Sequence, residues 1–376
     1  MATKQVHYNI DNIDKENAII NLIYGEKSNG KSYQVKHKKG ILPFIDYVNK
    51  IKKENLIKNC FFDDERFILL RRWKEDITKL WIEKYFSDVD IAKITNNEYN
   101  CVTSYRGELF LSIYDLENNK IKRGLKIGYV MSLSTEQHYS GGSFLDVKRI
   151  IFEEFMERGG LYIKNEPDRL MYLYSTIDRK RGVVELWLVG NSVSRVCPYI
   201  NAWGLDKIFS RLKQGEIATK TIDNDGTKIK IAVEYCRSSG GKNMAIGNAS
   251  AMINTGAWET TPQPHLPKSL KNYKKLYKFG FQYKGFKFLC DYLKDIETKE
   301  CCWFIYPFYK DFSNRIIVFS DEIKISKYWQ RDIYNMSINN DNLKKLLGTF
   351  RENKIFYSDD LCGTDFKQVI DFSIRR

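Results

Sequence analysis

The first 240 residues of this 376-residue chain predict an α/β fold with a mostly parallel central sheet, because strand-like and helix-like segments alternate there. The first strand, Ile19 to Tyr24, is short and apolar, and a turn and a helix-compatible segment follow it. Residues 241–270 hold three of the seven prolines and many small polar residues, which is typical of a linker. Residues 271–376 show strand patterns first and helix patterns last, and predict a small basic α+β domain.

The other elements follow from hydrophobic spacing and turn residues. In the first domain we predict strands at Arg66–Arg72, Ile127–Leu133, Lys148–Phe152, Val183–Val189 and Lys228–Cys236, and helices at Tyr33–Lys39, Ile41–Asn59, Glu75–Phe86 and Asp168–Ile177. Turn signals in residues 100–126 predict a small antiparallel meander. In the second domain we predict strands at Lys275–Phe281, Lys284–Cys290, Cys301–Phe308 and Arg315–Phe319, and helices near Asn342–Asn353 and Asp365–Ile374.

The turn after the first strand matches the pattern G-x-x-x-x-G-K-[ST] of a P-loop NTPase. Its residues are Gly25, Glu26, Lys27, Ser28, Asn29, Gly30, Lys31 and Ser32. Backbone N–H groups of such a turn and the following helix N-terminus converge on phosphate. Lys31 would reach the β- and γ-phosphates of ATP, and the Ser32 hydroxyl would bind Mg²⁺. The alternative is a chance match in a surface turn.

A second motif is an apolar run that ends in two acids, Glu153 and Glu154, as in a Walker B strand. Glu153 would hold Mg²⁺ through water, and Glu154 would polarise the attacking water. Asp is usual at the first position, so Glu153 departs from the pattern. The alternative is a strand that ends in solvated acids. Asn191 follows a later strand and could sense the γ-phosphate or form an ordinary turn.

Composition bounds the function. The net charge of +14 favours a polyanionic partner such as nucleic acid, although it could serve solubility alone. The eight cysteines include no C-x-x-C pair and only four histidines accompany them, which argues against a zinc site and favours reduced thiols. We find no apolar run of about 18 residues and no signal-peptide core, so we expect a soluble, unsecreted protein with no membrane partner.

In order and spacing, these segments resemble the DNA-packaging ATPases of small tailed phages with protein-primed genomes, a terminase-like branch of additional-strand P-loop ATPases. The resemblance rests on GEKSNGKS, FILLRRWK, YVMSLSTEQ, IIFEEF, LYIKNE, STIDRKRG and LVGNSVSRVCPY, all in the first domain. The second domain is similar only in size, basic character and strand-then-helix order.

The resemblance implies roles for several cations. Arg179 falls where the family places an arginine finger that enters the neighbouring subunit's ATP site, with Arg181 as the nearby substitute; a solvated basic turn is the alternative. Arg71 and Arg72 fall at the family's arginine pair after the second strand, where nucleotide contact is expected. Arg72 and Lys74 are expected to contact DNA, and Asn191 takes the coupling position.

Two departures qualify the resemblance. Ser140 stands where the family can carry a trans-acting lysine, so Arg179 acts with less help or a cation such as Lys148 compensates. Larger terminases carry a nuclease in the second domain. Its first strands here contain no acid, and Asp321–Glu322 and Asp359–Asp360 read as solvated pairs, so we expect a nuclease-like fold without nuclease activity.

The resemblance therefore implies an ATP-driven double-stranded DNA translocase that acts as a ring, a homopentamer by analogy, at the portal of a viral procapsid in the host cytoplasm. Some relatives use a packaging RNA, and the sequence leaves that open. Two alternatives remain at this point. One is another P-loop DNA enzyme, such as a helicase or a nuclease-bearing terminase. The other is a non-catalytic basic nucleic-acid-binding protein.

Overall fold

The fold is described from a computed structural model of the chain. It describes residues 7–54, 65–158, 160–240, 244–247, 249–283, 285–313, 316–320, 329–330, 348–349 and 352–374. Within these residues no helix is both long and apolar enough to cross a membrane.

A nine-stranded sheet forms the N-terminal domain, in the order β3-β4-β5-β2-β6-β7-β1-β9-β8. The six central strands, from β5 to β9, are parallel, and antiparallel strands extend both edges. This confirms the predicted α/β fold and its mostly parallel sheet. The strands are β1 (Ile20–Gly25), β2 (Arg66–Arg71), β3 (Cys101–Tyr105), β4 (Glu108–Asp115), β5 (Lys120–Ser132), β6 (Val147–Glu153), β7 (Glu185–Asn191), β8 (Glu216–Asn224) and β9 (Thr227–Tyr235).

Both faces of this sheet are covered, which explains the continuous apolar runs in the sequence. Leu22 and Ile23 are fully buried on opposite faces of β1, each in a separate core cluster. The helices are α1 (Asp11–Asp14), α2 (Lys31–Val35), α3 (Leu42–Lys53), α4 (Lys79–Phe86), α5 (Ile91–Ile94), α6 (Glu166–Asp178), α7 (Pro198–Ala202), α8 (Asp206–Arg211), α9 (Ser250–Thr255) and α10 (Asp360–Ile374).

The predicted meander is confirmed as the antiparallel strands β3, β4 and β5, and β5 then continues into the parallel part of the sheet. The helix predicted from Ile41 ends at Lys53 in the described chain, and residues 55–59 lie outside it. The hairpin partner β8 was not predicted, because its residues alternate between exposed and half-buried and show no apolar run.

The C-terminal domain is a six-stranded sheet in the order β14-β13-β10-β11-β12-β15. Its strands are β10 (Tyr273–Tyr283), β11 (Phe286–Asp295), β12 (Cys301–Pro307), β13 (Ile317–Ser320), β14 (Trp329–Gln330) and β15 (Lys354–Tyr357). Helix α10 packs Phe366 against Phe281 and Phe288, at ring-centroid distances of 5.3 and 5.2 Å. Most of the helix predicted at Asn342–Asn353 lies outside the described residues.

Of the four acidic residues considered for a nuclease site, the structure describes only Asp359 and Asp360. Asp321 and Glu322 lie outside the described residues. Asp359 accepts a hydrogen bond from the Cys362 N–H at 2.7 Å, and Asp360 accepts one from the Gln263 N–H at 2.9 Å. Asp359 therefore stabilises the first turn of α10, and Asp360 holds the chain at Gln263 against the start of that helix.

In the segment predicted as a linker, residues 249–259 pack on the nine-stranded sheet and the elements around it. The Trp258 ring stacks on Tyr24 at 5.2 Å, and Met252 is buried. The Gly256 carbonyl accepts hydrogen bonds from Ser192 Oγ at 2.6 Å and Tyr235 Oη at 2.7 Å. The apolar contacts of Met252 and Trp258 hold the segment in place although most of its other residues are small or polar.

The two domains also meet directly beyond β7. Ser194 Oγ donates to Gln368 Oε1 at 2.6 Å, and Arg195 Nε donates to the buried Asp365 carboxylate at 3.0 Å. Val196 lies in the C-terminal core cluster. The chain that leaves the carboxyl end of β7 is therefore part of the domain interface.

Candidate functional site

The P-loop joins the carboxyl end of β1 to α2, as its pattern predicts. Gly25 has φ 151°, and a Cβ there would lie 3.1 Å from the Cys236 Cβ. Gly30 precedes α2 with φ 95°, a conformation that favours glycine. The turn therefore needs both glycines that the motif specifies.

Lys31 and Asn191 come together at this edge of the sheet. Gly25 and Asn191 are register partners on the parallel strands β1 and β7. The Lys31 Nζ lies 3.1 Å from Asn29 Oδ1 and 3.5 Å from Asn191 Oδ1, and it also donates to the Glu26 carbonyl. Burial lowers the pKa of Lys31. When nucleotide binds, the Lys31 ammonium can replace these neutral acceptors with phosphate oxygens, which are stronger partners for a cation.

Glu26 is held by a segment that sequence analysis did not connect with the site. Its buried carboxylate accepts hydrogen bonds from the Ser239 N–H at 2.7 Å and from Ser239 Oγ at 2.8 Å. Ser239 lies just beyond β9, the other neighbour of β1 in the sheet. The chain after β9 therefore stabilises the first turn of the P-loop.

Glu153, at the end of β6, faces the P-loop across the sheet edge. Its Oε2 accepts a hydrogen bond from Ser32 Oγ at 2.9 Å, and its Oε1 accepts one from Tyr85 Oη at 2.7 Å. Burial raises the pKa of Glu153, and both hydroxyl donors oppose that rise. Tyr85 was not among the site residues predicted from the sequence, since an aromatic residue on an amphipathic helix is normally part of the core.

These donors fit Mg²⁺. A serine hydroxyl and a carboxylate are hard oxygen ligands, and nucleotide-bound Mg²⁺ takes few protein ligands because phosphates and waters supply the others. Ser32 would bind the ion directly and Glu153 through water. In the described part of the chain no three His, Cys, Asp or Glu side chains form a metal-binding group.

Glu154 projects from a strained turn directly after β6. Its backbone has φ 60°, and 58% of its side chain is exposed. Arg71 Nη2 lies 2.9 Å from the Glu154 carboxylate and 3.3 Å from Asp76, and the Trp81 ring packs 4.9 Å from the guanidinium. Arg71, predicted to contact nucleotide, therefore lies beside the predicted catalytic carboxylate.

Arg72, which is predicted to contact DNA, is buried. The residue is only 3% exposed, and its Nε lies 3.0 and 2.9 Å from the two oxygens of the fully buried Glu166. Its terminal nitrogens donate to the carbonyls of Glu154 and Phe155 at 3.0 and 2.8 Å. Together with a contact from Arg72 Nη1 to the Glu157 carboxylate at 3.1 Å, these bonds engage most of the guanidinium N–H groups, so the buried position favours a structural role for Arg72.

Lys74 has the opposite environment although it is only two residues away. It begins the short 3₁₀ helix Lys74–Asp76 after β2 and is exposed. Its backbone N–H donates to Ser134 Oγ at 3.2 Å. The side chain is therefore available to a partner on the carboxyl side of the sheet.

Arg179 ends α6 in the left-handed conformation, with φ 49°, and is exposed. Because α6 joins the carboxyl end of β6 to the amino end of the parallel strand β7, Arg179 lies at the edge of the sheet opposite its own P-loop. Its Nη2 donates to the Gly142 carbonyl at 2.7 Å, in the loop before β6.

Arg181, the alternative to Arg179, is committed to the fold. Its guanidinium donates to the carbonyls of Asp178 at 2.9 Å, Leu145 at 2.6 Å and Ile177 at 3.0 Å. Ser140 is exposed just before Gly141, and Lys148 is the second residue of β6. Both positions lie near the same amino-terminal edge of the sheet as Arg179.

Two curated relatives match half of the chain. The DNA packaging protein of Bacillus phage B103 is 30% identical over 189 residues, which cover 50% of this chain and 48% of that protein. The DNA packaging protein of Bacillus phage phi29 is 27% identical over 198 residues, which cover 52% of this chain and 49% of that protein. The chain spans about half the length of the curated relatives it matches.

A solved structure, that of the bacteriophage Phi-29 viral genome packaging motor assembly, supports the fold across both domains. It is 20% identical, with a TM-score of 0.52, and the match covers 98% of this chain and 99% of that chain. A family model described as Podovirus DNA encapsidation protein (Gp16) matches residues 2–213, more than half of the 376 residues, including the P-loop, Glu153, Glu154 and Asn191. The predicted resemblance to phage DNA-packaging proteins is thereby confirmed, and the chain belongs to the Podovirus DNA encapsidation protein (Gp16) family.

Proposed function

We propose that this chain is an ATP-driven double-stranded DNA translocase that packages a viral genome into a procapsid as part of a ring motor. The observation that carries the proposal is the convergence of Lys31, Ser32, Glu153 and Asn191 at one edge of the sheet. These contacts join elements up to 160 residues apart, in a chain whose family is named for DNA encapsidation.

ATP hydrolysis would divide among these residues. The P-loop N–H groups and Lys31 would bind and orient the phosphates, and Asn191 would contact the γ-phosphate or the attacking water. Bound Mg²⁺ would neutralise phosphate charge. Glu154 would accept the proton of the attacking water, since its carboxylate is exposed beside the nucleotide edge and oriented by Arg71. When nucleotide binds, the Arg71 guanidinium could release the Glu154 carboxylate and contact the nucleotide instead.

Arg179 supports action in a ring. A residue at the sheet edge opposite its own P-loop is badly placed for its own nucleotide, but an exposed guanidinium can enter a neighbouring site. We therefore assign Arg179 as a finger acting in trans. A homopentamer is the ring size that the family resemblance suggests.

Lys74 would contact DNA directly, and the positive net charge of the chain would attract DNA from a distance. An exposed ammonium is a suitable partner for a phosphate backbone that must slide past. The net charge of +14 would hold DNA close through long-range attraction. The portal of the procapsid, reached in the cytoplasm of an infected bacterial host, would be the docking partner, with a packaging RNA as an optional further one.

Steady-state ATP hydrolysis tests this proposal, measured with and without linear double-stranded DNA in parallel with Glu154→Gln. We expect turnover that DNA stimulates and that the variant loses by about 10²-fold or more. Glu98→Gln, an exposed carboxylate paired with Lys52 at 2.8 Å, is the matched control and should keep full turnover.

Other outcomes would point elsewhere. Undiminished hydrolysis in Glu154→Gln would remove its assignment as the general base. Strand separation during turnover would favour a helicase, and metal-dependent DNA cutting a nuclease-bearing enzyme. Nucleotide and DNA binding without hydrolysis, even in the presence of a portal, would favour a non-catalytic binding protein.

A further inference from the structure

The carboxylate of Glu153 is held from two sides. Ser32 donates to one oxygen from the P-loop, at 2.9 Å, and Tyr85 donates to the other from α4, at 2.7 Å. Glu153 itself is only 5% exposed, so few waters can substitute for either donor. The orientation of this carboxylate is therefore set by two hydroxyl groups from different elements.

Tyr85 is itself immobilised by its surroundings. Its ring stacks on Trp81 at 5.2 Å and meets Phe86 edge-on at 4.9 Å. The Lys36 Nζ lies 4.5 Å from the ring centroid, within the range of a cation–π contact, and it also donates to the Tyr85 carbonyl. The phenol hydroxyl therefore points at Glu153 from a rigid support.

The length of the Glu153 side chain makes this support relevant. Glutamate has one more rotatable bond than the aspartate usual at this position, so a single hydrogen bond leaves it more conformers. A second anchor removes that freedom. Groups that orient a metal-binding carboxylate in this way commonly change metal affinity when they are lost.

We propose that Tyr85 is a positioning residue for Mg²⁺ binding, which locks Glu153 in the rotamer that faces Ser32. The inference rests on the proposed function only in requiring that the site binds Mg²⁺ with ATP. Tyr85 touches neither nucleotide nor metal, and acts through the Glu153 carboxylate alone.

The test is the Mg²⁺ dependence of binding of a fluorescent ATP analogue to the full chain, measured without turnover. Tyr85→Phe removes the hydroxyl and keeps the ring contacts with Trp81 and Lys36. We expect the Mg²⁺ concentration for half-maximal binding to rise about tenfold, while binding in EDTA stays unchanged.

A matched control is available in Tyr129→Phe, because Tyr129 Oη donates to the Asp146 carboxylate at 2.7 Å away from the P-loop. Both variants should lower the melting temperature by similar amounts, but only Tyr85→Phe should change the Mg²⁺ requirement. An unchanged requirement in Tyr85→Phe, or an equal change in the control, would overturn the proposal.

Glu153→Asp provides a second test that leaves α4 intact. Shortening the side chain by one methylene should take the carboxylate out of reach of the Tyr85 hydroxyl, so adding Tyr85→Phe to Glu153→Asp should cause no further change. A full tenfold change in that background would show that the hydroxyl does not act through Glu153, and would overturn the proposal. Failure of the unaltered chain to bind ATP with Mg²⁺ would instead overturn the proposed function, and this inference with it.

Discussion

The Arg72 guanidinium and the Glu166 carboxylate form a buried ion pair, with Arg72 Nε 3.0 and 2.9 Å from the two carboxylate oxygens. Tyr199 Oη donates to the same carboxylate at 2.7 Å, and Arg72 also holds the carbonyl of Glu154. The pair thus ties β2, the turn after β6 and the helices α6 and α7 together beneath the candidate catalytic carboxylate.

We predict that Arg72→Ala lowers the free energy of unfolding by about 3–5 kcal/mol, because it leaves Glu166 buried without its cation. Denaturant unfolding measures this, with Lys74→Ala as the exposed-cation control, which should change stability by less than about 0.5 kcal/mol. A stable Arg72→Ala protein with a selective loss of DNA binding would restore the DNA role that the sequence suggested.

Arg179 and Arg181 should separate in their effects. Arg181→Ala removes donors to several buried carbonyls and should cost roughly 1–3 kcal/mol of stability. Arg179→Ala should leave the melting temperature nearly unchanged and abolish ATP turnover without preventing ATP binding. Mixing Arg179→Ala with Glu154→Gln subunits should restore part of the turnover, because each supplies what the other lacks. Turnover that stays absent in the mixture would argue against action in trans.

Lys74→Ala should reduce DNA-stimulated ATP hydrolysis more than basal hydrolysis, since its side chain is exposed and follows β2, which two strands separate from the P-loop strand β1 in the sheet. The salt dependence of DNA binding should weaken by about one phosphate contact per subunit. The control is Lys79→Ala, which removes an exposed lysine at the start of α4 and should leave the DNA-stimulated rate unchanged. An equal fall in both activities would assign Lys74 to folding or nucleotide binding.

Glu234, on β9, should make stability depend on pH. Burial raises the pKa of this carboxyl from 4.5 to about 7, although the Tyr8 hydroxyl donates to it at 2.7 Å. Between these values the folded chain holds a proton that the unfolded chain releases, so stability is full below pH 4.5 and falls as pH rises to about 7.

Glu234→Gln removes this titration and can still accept the hydrogen bond from Tyr8. The variant should therefore gain stability relative to the unaltered chain as pH rises from 4.5 to above 7, by up to about 3 kcal/mol. Urea unfolding at several pH values measures the difference, and Glu98→Gln controls for net charge. A difference that does not change with pH would contradict the shifted pKa.

The sequence alone determined the elements that depend on local rules. The P-loop could be recognised because Gly30 must adopt φ 95° and Lys31 and Ser32 must follow it directly. The parallel sheet could be predicted because strands covered on both faces read as unbroken apolar runs, as in β6. Lys31 and Asn191 could be expected to meet because the carboxyl ends of neighbouring parallel strands share one edge.

Only the tertiary structure decided which side chains are accessible and which distant groups they contact. Arg72 and Lys74 follow the same strand. Arg72 is buried and pairs with Glu166, which is 94 residues away in the sequence, whereas Lys74 is exposed. Trp258 converts a linker-like composition into a packed segment by stacking on Tyr24. Tyr85 reaches Glu153 across 68 residues. Such contacts depend on how the elements pack in space, and neither periodicity nor motif spacing carries that information.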